Sequence, residues 1–171
     1  MPNVTVLKDG YAVSRSSDFI IYSVEAEFID DVVAKYGPCV SLLYFSWLSS
    51  YICIATKQHA VVAGQTSVKD PERRAFERHL PLDVHIVSCH SLHGPGVSPV
   101  GQPLVRICLR TQILMTNACQ ALISHRASQA ALKLVENILR PFQSRFVYLS
   151  YEEHDLVTAN TQAVTHAAFL R

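Results

Sequence analysis

His90 and His93 are the residues of this chain best suited to chemistry. They stand three apart in Cys89-His90-Ser91-Leu92-His93-Gly94-Pro95. Histidine titrates near neutrality, so one such ring can act as a general acid or base. Two at this spacing can also share a metal ion, although Cys89 adjoins His90 and no second cluster of ligands follows. A third reading is a loop histidine that only hydrogen-bonds its turn. Ser67, in Gly64-Gln65-Thr66-Ser67-Val68-Lys69, is the matching hydroxyl. It can orient an imidazole or satisfy the backbone of its own loop.

The elements around these residues predict where they meet. Val84, Ile86 and Val87 make a short β-branched run of the kind that forms a buried strand. Gly94-Pro95 ends it and turns the chain. His90 is thereby delivered at the C-terminal edge of a strand, the edge where open α/β sheets bind ligands. Upstream, Ala60-Val61-Val62-Ala63 is a second apolar strand. Asp70 suits a helix N-cap and Pro71 the first helical position. Strand, polar loop, helix, strand and histidine turn make a βαβ unit. Both loops then emerge at one sheet edge, which lets Ser67 approach His90.

The flanking sequence fits the same plan. Residues 18–25 read as another buried strand that ends in Ser23-Val24-Glu25. A helix over 26–36 follows, with Phe28, Ile29, Val32 and Val33 on one face, and Gly37-Pro38 stops it. Glu25 then lies near a helix N-terminus, where the dipole favours negative charge. Ser128 caps a helix reaching Arg140, and residues 146–149 are one more strand. Ser150-Tyr151-Glu152-Glu153 is a capping box. The helix it opens carries Asp155, Thr158, Gln162 and His166 on one stripe. By pattern alone that stripe suits a solvated face as well as a binding wall.

Composition bounds the rest. A chain of 171 residues can bury the core of one domain. A net charge of +1 gives no support for a nucleic-acid surface. Five cysteines without framework spacing point to reduced thiols and a cytoplasmic setting. The N-terminus has no secretory pattern.

The runs AGQTSVK, CHSLHGP, GQPLV and YEEHDLVTANTQAVTHAAFL, in this order, resemble prephenate dehydrogenase of the fungal, NADP-dependent type. Four separated motifs in collinear order are far more specific than any one of them. The resemblance implies oxidative decarboxylation of prephenate to 4-hydroxyphenylpyruvate, on the route to tyrosine. It implies that His90 is the catalytic histidine, hydrogen-bonded to the ring hydroxyl of the substrate, and that Ser67 supports it. It puts His166 and Gln162 at the substrate, puts Ser23, Val24 and Glu25 beside the NADP, and requires no metal. Bacterial members carry His-Pro-Met where this chain has His90-Ser91-Leu92.

The chain departs from that family in several places. The glycine-rich turn that meets the pyrophosphate in dinucleotide folds is not in this sequence. Residues 39–55, uncharged and holding the only tryptophan, break the likeness, as do residues 106–123. Both are read as insertions, the first of retained-intron character. A buried hairpin and a weak membrane anchor are the other readings of residues 39–55. The expectation is an α/β fold: a partial Rossmann-type dinucleotide-binding domain over residues 1–149, then the start of an all-helical domain at 150–171. A homodimer is expected only of a full-length parent, and membrane or nucleic-acid partners are not expected. Such a fragment is expected to be inactive by itself. A dehydrogenase of a related small acid, a noncatalytic nucleotide-binding remnant and a membrane-attached fragment are the alternatives.

Overall fold

Three short apolar runs lie side by side as parallel strands in the computed structural model. It describes residues 4–38, 56–91, 96, 98, 100, 103–106 and 121–160. The strands are β1 (Phe19–Tyr22), β2 (Val61–Gly64) and β3 (His85–Ser91). Their registers pair Phe19 with Val61 and Val61 with His85. After the short helix α1 (Gly10–Ser16), helix α2 (Ile29–Tyr36) joins β1 to β2, and α3 (Lys69–His79) joins β2 to β3. This is the βαβαβ plan that the sequence predicts.

The pleat of the central strands explains their unbroken apolar character, since both faces are covered. Val62 and Ile86 pack with Ile29 and Val33 of α2 and with Ala75 and Phe76 of α3. Val61, Ala63, Val87 and Cys89 turn the other way, onto Ala131, Leu132, Val135 and Leu139 of helix α4 (Gln129–Leu139). Ser128 caps α4, its side chain accepting the Ala131 amide at 3.2 Å. A 3₁₀ turn (Arg140–Phe142) and strand β6 (Arg145–Tyr148) follow. Helix α5 (Tyr151–Thr158) opens with the predicted capping box between Ser150 and Glu153.

Several boundaries differ from the sequence reading. The strand read over residues 18–25 is confined to Phe19–Tyr22. Helix α2 starts at Ile29, after turns at residues 26–28. Helix α3 starts at Lys69, so Val68 is its N-cap, while Asp70 and Pro71 fall inside the first turn. The cause is a distant cap: the Asp155 carboxylate accepts the Lys69 and Asp70 amides at 2.8 and 3.1 Å. Strand β3 runs through His90 to Ser91, because neighbouring strands carry the ladder that far. His90 is therefore a strand residue.

Strands β4 (Pro103–Arg106) and β5 (Ala121–Arg126) both run antiparallel to β3. They share one lane of the sheet. His90 pairs with Val105 and also with Ala121, and Cys89 pairs with Arg106 and also with Leu122. On the far side, Val147 of β6 pairs with Val105 and with Ala121. From 105 to 121, and from 106 to 122, the offset is the same sixteen residues. Residues 106 and 121–123 of the stretch read as an insertion are thus in strands. Residues 39–55 and 161–171, with Gln162 and His166, lie outside the described residues, as does His93. Among the described residues no helix is long and apolar enough to cross a membrane.

Removing residues 106–121 joins Val105 to Leu122 and keeps every register with β3 and β6. We expect the shortened chain to fold with a thermal midpoint equal to or above that of the parent, since a shorter connection costs less entropy to close. Loss of the cooperative transition in circular dichroism would show that β4 and β5 are not two halves of one strand.

Candidate active site

The side chains of a strand alternate between its faces. On β3, Ile86 and Ser88 point toward α3, and His90 follows on that face. His90 is only 5% exposed. Helix α5 supplies its partner: His90 Nδ1 lies 2.9 Å from His154 Nε2, with the rings edge to face. His154 Nδ1 lies 2.9 Å from Asp155 Oδ1. Asp155 also accepts the two amides at the start of α3.

Donor and acceptor rules assign the protons along this row. An ionised carboxylate only accepts, so His154 Nδ1 carries a hydrogen and donates it. In the neutral His154 ring Nε2 is then a lone pair, and His90 Nδ1–H fills it. The His90 Nε2 lone pair remains, and no described residue hydrogen-bonds it. Burial works against the Asp155 charge. The hydrogen bonds from His154 and the α3 amides outweigh it and hold the carboxyl below its usual value. Burial, then the Lys69 charge, then His154, push His90 down to about 3. At neutral pH His90 is a neutral ring with a free acceptor nitrogen.

A sealed ion pair lies beneath. The side chains of Lys69 and Glu72 are both 0% exposed. Lys69 Nζ donates to Glu72 at 3.0 Å, to the Gly64 carbonyl at 3.1 Å and to the Cys89 carbonyl at 2.9 Å. Glu72 also accepts the Thr66 amide at 3.1 Å, the Thr66 hydroxyl at 2.6 Å and the Ser88 hydroxyl. A Cβ at position 64 would overlap the Glu72 carboxylate, so only glycine fits there. The Cys89 thiol is pushed up to about 12, chiefly by burial, which makes it a packing group at neutral pH.

Beside this network opens a cleft of about 370 Å³, lined by Ser23, Val24, Glu25 and Ala26 after β1 and by Gln65–Val68 after β2. It sits at the C-terminal ends of two adjacent parallel strands, where open sheets bind dinucleotides. Gln65 links it to β3, its Oε1 accepting the Ser91 amide at 3.3 Å.

Comparison with known proteins finds relatives in sequence and in fold. No protein-family model matches the chain. It is 53% identical to the "Probable prephenate dehydrogenase [NADP(+)]" of Schizosaccharomyces pombe, over 97% of this chain and 31% of that protein. It is 44% identical to the "Prephenate dehydrogenase [NADP(+)]" of Saccharomyces cerevisiae, over 96% of this chain and 30% of that protein. The chain is homologous to part of the fungal prephenate dehydrogenases. It spans about a third of the length of these relatives. In fold it is similar to the prephenate dehydrogenase of Aquifex aeolicus, with a TM-score of 0.61 at 20% identity, over 95% of this chain and 50% of that one. A crystal structure of the A. aeolicus enzyme with hydroxyphenyl propionate and NAD+ gives 0.58 at 21% identity, over 95% and 49%.

Set against the expectations for a prephenate dehydrogenase, the structure gathers some predicted residues and separates others. Ser23, Val24, Glu25 and Ser67 line one cleft. Ser67 is exposed there, and the hydrogen bond on His90 goes to His154 instead. Sequence reasoning missed His154, Lys69 and Glu72. His154 follows a capping box by one residue, and that position within the first turns of a helix was the available signal. Lys69 and Glu72 stand three apart, as on countless solvated helices, so nothing local marked them as buried.

The ring resonances of His90 should remain those of a neutral imidazole at pH 5; a cationic ring there would contradict the assignment. An unfolded histidine takes up a proton near 6.5, while His90 does so near 3. Between those values the unfolded chain binds more protons, so stability falls as pH falls, by up to about 1.4 kcal/mol per unit. Denaturant titrations at pH 7 and pH 5 measure that slope.

Proposed function

We propose that this chain carries the catalytic-histidine part of an NADP-dependent prephenate dehydrogenase, with prephenate as substrate. The observation that carries the reading is His90: a buried neutral imidazole at the end of β3, its Nδ1 held by His154 and its Nε2 left as an acceptor. The cleft beside it, lined by polar loop residues at the ends of β1 and β2, fits the nicotinamide end of such a cofactor. Ser23, Val24 and Glu25 would hold that end, with Ser67 on the opposite wall between cofactor and substrate. Gln162 and His166, further along the chain that continues α5, would contact the substrate. The reading includes residues 1–149 as a dinucleotide-binding domain, a homodimeric full-length protein and a cytoplasmic setting.

When bound, the oxidised nicotinamide accepts a hydride. His90 Nε2 accepts the hydrogen bond of the substrate's ring hydroxyl. Electron density can then rise on that oxygen as the hydride leaves the same carbon. The ring carboxylate departs as carbon dioxide, and its bonding pair completes the aromatic ring. The hydroxyl keeps its proton in 4-hydroxyphenylpyruvate. His90 must be neutral for this role, and burial together with Lys69 keeps it so.

The test is NADPH formation from prephenate by the protein that carries this stretch. His90→Asn should lower kcat by about 10²–10⁴-fold, the usual worth of such a group, with NADP affinity within a few fold of the parent. Ser67→Ala should lose less. A His90→Asn variant that keeps most of its kcat would remove His90 from the mechanism.

A further inference from the structure

Lys69 touches no reacting atom in the mechanism above, yet it joins every element around His90. Its backbone amide donates to Asp155, which holds His154, which holds His90. Its ammonium donates to the carbonyl of Cys89, the residue before His90, and to Gly64 at the end of β2. The path from His90 through His154, Asp155, Lys69 and Cys89 returns to His90 and closes a ring of hydrogen bonds around the imidazole. Through Glu72 the same ammonium reaches Thr66, in the loop that lines the cleft.

We propose that Lys69 is the positioning residue of this site, its buried ammonium fixing the His90 backbone against the cleft loop and presenting the ring to the substrate. The proposal rests on the reading of His90 as the reacting ring. Two independent features support it. Geometry is one: Lys69 Nζ has four acceptor atoms within 3.2 Å, drawn from β2, α3 and β3, and no exposure to water. A surface lysine gains little from such contacts. A sealed one is held in a single place, because moving it would strand a charge in the interior. Electrostatics is the other. The charged and titratable groups facing His90 are Lys69 from α3, and His154 and Asp155 from α5. Of these, Lys69 and His154 oppose a proton on the ring and Asp155 favours one. The ammonium therefore orients the ring and keeps its lone pair available.

The test uses the chain without substrate, so its outcome is separate from that of the prephenate assay. In the Lys69→Met, Glu72→Gln double variant both charges vanish and volume is nearly kept. The His90 ring should then titrate about one pH unit higher or more, read by nuclear magnetic resonance. Lys69→Gln, which keeps a donor for the Cys89 carbonyl, is the second variant and should shift the ring the same way. A variant that folds by circular dichroism and titrates as the parent does would overturn the proposal, since the ammonium would then neither place the ring nor bear on its proton. Should neither fold, the parent chain decides: the coupling between the Lys69 side-chain nitrogen and the Cys89 carbonyl carbon, across their hydrogen bond, must be present. Its absence overturns the proposal equally.

Discussion

An ammonium group without access to water must find acceptors for its three protons, and Lys69 finds them on three elements. The Gly64 carbonyl ends β2, the Glu72 carboxylate sits one turn along α3, and the Cys89 carbonyl precedes His90 on β3. Burying two charges is unfavourable unless each is fully satisfied. Here Glu72 is satisfied as completely as Lys69, by Thr66 twice and by Ser88. Once both are met, the arrangement tolerates little change. Removing one partner of such a pair typically costs about 3–5 kcal/mol, because the other is left buried and uncompensated. The strand ends, the cleft loop and the start of α3 are thereby locked to one another. Gly64 is part of the lock, since any side chain there would occupy the space of the carboxylate.

The second constraint comes from α5, which serves as a cap for another helix. Two free amides at the start of α3 need acceptors, and Asp155 provides both. The same carboxylate fixes the tautomer of His154 and, through it, that of His90. One acidic side chain thus caps the start of a helix and sets which nitrogen of the His90 ring is an acceptor. Secondary structure and chemistry share this group, so neither can change without the other.

That sharing explains what the sequence revealed and what it hid. The three parallel strands, α4 with its Ser128 cap and the capping box of α5 were legible because each rests on local pattern: β-branched runs, helical periodicity, a hydroxyl at a helix start. His90 and the cleft residues Ser23 to Glu25 were legible through strand ends, which in a parallel sheet gather at one edge. The start of α3 was misread because its cap lies more than eighty residues away. The hydrogen-bond partner of His90 in the structure, His154 and not Ser67, was hidden for a similar reason. A βαβ unit brings Ser67 near the edge, but only tertiary packing of α5 shows that His154 reaches the ring first. Lys69 and Glu72 were invisible because an i, i+3 charge pair looks the same exposed or buried.

The shared lane of β4 and β5 bears on how much of the site an interruption can disturb. Strand β4 ends at Arg106 and β5 begins at Ala121, at the level of Cys89 and His90. A break at that height would be expected to damage the site. Yet every side chain that holds or tunes His90 comes from β3, α3 or α5, and the pair beneath is tied to β2. The lane meets β3 through its backbone, at the height of His90. Main-chain hydrogen bonds carry no side-chain identity, so either segment can satisfy the strand. The interrupted lane and the charged network therefore meet only through the backbone of β3, and the geometry around His90 is set from the uninterrupted side of the sheet.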